Sequence, residues 1–83
     1  MDILFSNHAL ERMKARKIFK ERVITIIEQP DTIIPQDEKI RIYSKLINDE
    51  NKLYLYRVFL KIEMKAMTVI TVYRTSKIEK YGY

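Results

Sequence analysis

The apolar positions change their period near Pro30, recurring at helical spacing before it and alternating with period two after it. "DILF" (2–5) is short and apolar enough for a strand, and Ser6 follows as a helix N-cap whose hydroxyl can accept an orphan backbone N–H of the next turn. A helix from Asn7 to Arg16 then gathers Ala9, Leu10 and Met13 on one face. His8, Arg12 and Arg16 form a stripe centred roughly 110° away, bordering the buried face instead of opposing it. A second helix begins after Ile18, near Lys20, and ends before Pro30, which cannot continue it. Its apolar side, Val23 and Ile27 flanked by Ile24 and Ile26, reads as packing.

Beyond Pro30, "KIRIYSKLI" (39–47), "KLYLYRVFLKIE" (52–63) and "MTVITVYRT" (67–75) are rich in Ile, Val, Tyr and Thr and read as strands. "NDEN" (48–51) is a good turn between the first two, "MKA" (64–66) a poorer one between the second and third, and "DTIIP" offers a short fourth strand. The expected fold is therefore α+β: two N-terminal helices packed on a three- to four-stranded antiparallel sheet, in one domain spanning 1–83. In the last strand, alternation puts Met67, Val69, Thr71 and Tyr73 on one face and Thr68, Ile70, Val72 and Arg74 on the other. Only one of these sets can lie beside the first helix.

Composition narrows the function classes. Eighty-three residues, 47% hydrophobic and 33% charged with a single Gly, suit one compact domain with a modest core. No apolar run is long enough for a signal peptide or a bilayer span, so the expectation is an intracellular, cytoplasmic protein with no membrane partner. With no Cys and one His, neither a disulfide framework nor a structural zinc site is expected, and no cofactor is implied. The net charge of +5 is uneven: residues 1–30 carry six basic and four acidic side chains, 31–50 three and five, and 51–83 seven and two. Basic ends around an acidic middle favour a polyanionic partner such as nucleic acid, and are equally compatible with ordinary solubility charge.

The order Ser6-x-His8-Ala9-x-x-Arg12-Met13-x-x-Arg16-x-Ile18, a second helix ending at Pro30 and a strand ending "TVYRTSK" resembles the family called domain of unknown function 4258. That family is similar to the superfamily of small ribonuclease folds that includes the RelE-type toxins, barnase, colicin nucleases and EndoU nucleases. The resemblance implies a RelE-like ribonuclease fold, a metal-independent RNA-cleaving site between helix and sheet, and a toxin-like role with a cognate antitoxin as possible partner. The matching positions are His8, Arg12 and Arg16 on the helix and Thr71 and Tyr73 on the strand.

Those residue types suit attack of an RNA 2′-OH on its neighbouring phosphorus. Histidine is the side chain whose ordinary titration lies near neutral pH, so His8 is the candidate general base. Arg12 and Arg16 carry planar forks for the phosphorane oxygens. The acid is open between Tyr73, oriented by Thr71, and Tyr81, Lys77 or a histidinium form of His8. Arg74, Lys77 and Lys80 are candidates for the RNA backbone, and Tyr81 or Tyr83 for base stacking. No metal ligand set is expected. The acidic pairs Asp37–Glu38 and Asp49–Glu50 read as solvated loop residues, and Tyr43, Tyr54 and Tyr56 as sheet packing. Two other classes fit the same residues: a non-catalytic module holding nucleic acid or an acidic protein on the basic stripe, and an inhibitor or adaptor docking by a sheet edge.

Overall fold

A computed structural model describes residues 2–83. The elements in chain order are β1 (Asp2–Phe5), α1 (Asn7–Arg16), α2 (Lys20–Glu28), β2 (Thr32–Pro35), β3 (Ile40–Asp49), β4 (Lys52–Glu63), β5 (Ala66–Thr75) and a 3₁₀ turn, Ile78–Tyr81. Ser6 is the N-cap of α1, its Oγ accepting from the Ala9 N–H at 3.0 Å. The helix ends on Lys17 in the left-handed region (φ 56°), with the Ile18 N–H donating to the Met13 carbonyl at 2.8 Å. That bond spans the last turn and brings the buried Met13 and Ile18 side chains into the same core.

The sheet order is β1-β5-β4-β3-β2, with β1 parallel to β5 and every other pair antiparallel. The expected three- to four-stranded antiparallel sheet, and the RelE-like arrangement implied with it, are therefore corrected to a five-stranded mixed sheet. The physical reason is the path between the edges. The chain leaves β1 at one edge, passes through α1 and α2, re-enters at the far edge as β2, and returns by the β2–β5 meander until β5 lies beside β1. Because β1 makes no hairpin, nothing local in "DILF" announces its pairing with residues 66–69.

The core lies between the helices and one sheet face: Ala9, Met13, Ile18, Val23, Ile26 and Ile27 pack with Tyr56, Val58, Leu60, Val69 and Val72. Val69 and Val72 are both 0% exposed although three residues apart, which strict alternation forbids. A bulge accounts for it. Phe59 of β4 faces Thr71 while Leu60 faces Val69, so Ile70 is the extra residue and the parity of β5 reverses after it. Val72 and Arg74 turn to the helix side; Thr71 and Tyr73 turn away.

On the far face Ile42 and Leu55 are buried outside the helix-side core. The chain after β5 folds back over this face, with the Tyr81 and Tyr83 hydroxyls 3.2 Å from Tyr73 and 3.4 Å from Thr32 respectively. Among the described residues no helix is long and apolar enough to cross a membrane.

Candidate functional site

Three pieces of chain meet at one end of the helix side: the last turn of α1, the start of β4 and the end of β5. Arg16 trails the buried Ala9 by only about 20° around the helix, so it leans over the sheet instead of away from it. The left-handed Lys17 turns the chain sharply beside it. Together with Lys52, Arg74 and Lys77 they line an open cleft of about 540 Å³ that holds these five cations, the Tyr54 ring and no carboxylate. The Arg74 guanidinium lies over Tyr54, 4.7 Å from the ring centroid.

A second cavity of about 340 Å³ adjoins the first through Lys17, Tyr54 and Arg74 and reaches to Arg22 and Asp49. Asp49, at the end of β3, organises it. Its Oδ1 accepts from Arg22 Nη1 of α2 at 3.0 Å, its Oδ2 accepts from the Tyr56 hydroxyl, and that hydroxyl accepts from Arg74 Nη1 at 3.1 Å. Arg74 Nη1 is also 3.7 Å from Asp49 Oδ2. The Tyr56 hydroxyl, with Arg22 behind it, holds the Asp49 carboxyl below its ordinary range, while burial and the facing carboxylate push the Tyr56 phenol up. At neutral pH the pair thus stays as carboxylate and phenol, a fixed support for Arg74 with little capacity to carry protons. Lys17, Arg22 and Arg74 against Asp49 and Glu50 leave the lining with an excess of one positive charge.

His8, Arg12 and Arg16 are all exposed, and neither arginine forms an ion pair among the described residues. Of the sequence-derived set, Arg16, Arg74 and Lys77 come together in the cleft. Thr71 and Tyr73 do not join them, because the bulge at Ile70 turns both to the opposite face. There Tyr73 accepts from Arg57 Nη1 at 2.6 Å, stacks on Phe59 with centroids 5.9 Å apart and meets the Tyr81 hydroxyl. Burial raises the Tyr73 phenol, and its hydrogen bond to Tyr81 lowers the latter. Lys80 is exposed on the 3₁₀ turn, and Tyr81 lies against Arg57 with the guanidinium 4.6 Å from its ring centroid. No group of His, Cys, Asp and Glu able to hold a metal occurs among the described residues.

Sequence reasoning missed Lys17, Arg22, Asp49, Lys52 and Tyr56. Asp49 reads as one more polar residue of a turn, yet Glu50 and Asn51 take the two positive-φ positions (49° and 68°) of a tight hairpin and leave Asp49 opposite Lys52 on the strand ladder. For Lys52 the available signal was the +5 balance of residues 51–83; nothing in the charge balance singles out the other four.

The fold and the cleft define a small α+β domain with a carboxylate-free basic groove at one end of a mixed sheet. The chain belongs to the family described as Domain of unknown function (DUF4258), whose model matches residues 5–74. No curated protein and no solved structure matches it.

Proposed function

We propose that this chain binds single-stranded RNA in the cytoplasm, with the strand's phosphates in the cleft between the end of α1 and the ends of β4 and β5. The observation that carries the reading is the convergence of Arg16, Lys17, Lys52, Arg74 and Lys77 with no carboxylate in the lining. Cations so placed displace the counterions of a polyanion, and the Tyr54 ring offers a stacking surface beside them. Binding should weaken with salt at a slope of about −0.7 per phosphate contacted, and Arg74→Ala should both weaken it and flatten the slope. Affinity indifferent to salt, or unchanged in Arg74→Ala, removes the proposal.

A second reading, metal-independent cleavage, is favoured by one observation. His8 and Arg12 are exposed on the α1 stripe that ends at Arg16 in the cleft, successive members lying about 6 Å apart along the axis. A strand leaving the cleft along α1 passes Arg12 and then His8. In this reading His8 takes the proton of a 2′-OH, Arg12 and Arg16 meet the phosphorane, and solvent protonates the leaving 5′-oxygen. Kinship with the small ribonucleases and a toxin-like role paired with an antitoxin go with this reading and not with the first. RNA cleavage in EDTA that disappears in His8→Ala is the expected result; cleavage that needs a divalent ion, or persists without His8, overturns it.

A further inference from the structure

The sheet face turned from the helices carries a cavity of about 320 Å³ that RNA binding does not use. Its lining joins Leu55 and Ser44 of the sheet, Ile34 of the edge strand, and Tyr81 and Tyr83 of the chain after β5. Two groups in it lack the partners such groups ordinarily have. Ser44 is 2% exposed, and its Oγ has no hydrogen-bond partner among the described residues, whereas buried hydroxyls are nearly always satisfied. Arg57 faces no carboxylate among the described residues. Its guanidinium sits among Phe59, Tyr73 and Tyr81 instead, 5.5, 5.7 and 4.6 Å from their ring centroids. A guanidinium has five N–H donors, and Nη1 donates to Tyr73.

We propose that this cavity binds a small monocarboxylic acid with an apolar, planar body, its carboxylate on Arg57 and the Ser44 hydroxyl and its body between Ile34, Leu55 and the tyrosine rings. One half-buried cation matches one negative charge, and a phosphate dianion would bring a second charge that nothing else in the lining meets. The mostly apolar walls select the body. The wall made by Tyr81 and Tyr83 lies beyond residue 74, where the family match ends, so the site belongs to this chain and not to the matched domain alone.

The test is a residue-resolved amide NMR titration of the full chain with benzoate, the uncharged benzyl alcohol and inorganic phosphate. Saturable shifts at Leu55, Arg57 and Gly82 with benzoate alone are expected, with the dissociation constant raised about tenfold in Arg57→Met and about threefold in Ser44→Ala. Benzyl alcohol binding as tightly as benzoate, phosphate competing at the same amides, or no saturable shift overturns the proposal. If Arg57→Met does not fold, benzoate against benzyl alcohol on the unaltered chain and the Ser44→Ala titration decide, and unchanged affinity in Ser44→Ala overturns the assignment of the carboxylate.

Discussion

The Ser6 hydroxyl donates to the Ile70 carbonyl at 3.0 Å across 64 residues of sequence, while the same oxygen accepts the Ala9 N–H that opens α1. Ile70 is the bulged residue of β5, and a bulge leaves ladder groups unpaired. One serine therefore caps the helix and satisfies the bulge, with its own N–H donating to Val69 at 3.0 Å beside them.

Ser6→Ala removes both side-chain bonds at once. The expected loss is about 1–2 kcal/mol, read as a lower denaturation midpoint at unchanged slope. Ser6→Asp should recover part of it, because a carboxylate accepts from Ala9 but cannot donate to Ile70. Full recovery in Ser6→Asp would show that the bulge contact adds nothing.

The same bulge marks where the sequence stopped being legible. The bounds of α1 and α2 and the three long strands follow from local signals: the Ser6 cap, the Pro30 stop and the Ile/Val/Tyr alternation. Alternation left either face of the last strand possible beside the first helix, the family resemblance pointed to Thr71 and Tyr73, and one inserted residue turns both to the far face. "TVITVYRT" carries no Gly or other local mark of that insertion. The parallel pairing of β1 was hidden for a related reason, since it depends on the whole route through both helices. Within the cleft, Arg16, Arg74 and Lys77 could be named from charge, whereas Lys17 and Lys52 become neighbours only when the hairpin and the helix end meet.

Lys17 joins a backbone cost to a proposed binding role. A non-glycine residue in the left-handed region is disfavoured by about 1 kcal/mol, and its side chain lines the cleft. Lys17→Gly is expected to raise stability by about 0.5–1 kcal/mol while weakening RNA several-fold and flattening the salt slope by about 0.7. Thermal melts and filter binding on the same sample read both. Gain in stability with unchanged affinity would remove Lys17 from the interface.

Acid sensitivity should trace in part to Asp49. Its folded pKa is depressed, first by the Tyr56 hydroxyl and then by Arg22, so its contribution is complete above the ordinary value of 3.8 and fades as pH falls through the folded value. Asp49→Asn should lower stability at pH 7 by about 1–2 kcal/mol, the smaller end reflecting partial solvent access. Asp37 and Glu63 are lowered as well and remain in the variant. The informative quantity is therefore the difference between the two stability curves, which should narrow below about pH 4. Parallel curves down to pH 2 would mean that Asp49 titrates alike in folded and unfolded chains.

RNA binding and RNA cleavage separate on the substrate. Attack by the 2′-OH requires that hydroxyl at one nucleotide, whereas phosphate contacts in the cleft are indifferent to it. An oligonucleotide with a single 2′-deoxy residue at its cleavage position should bind this chain with unchanged affinity and resist cutting there, and the all-RNA control should leave a 2′,3′-cyclic phosphate. Arg74→Ala should raise the dissociation constant for both substrates alike. His8→Ala should leave both dissociation constants in place and abolish the product. If the singly deoxy strand is cut at the same position and rate, the nucleophile is not the 2′-OH, and His8 loses its role as the base that activates it while the cleft keeps its role in binding.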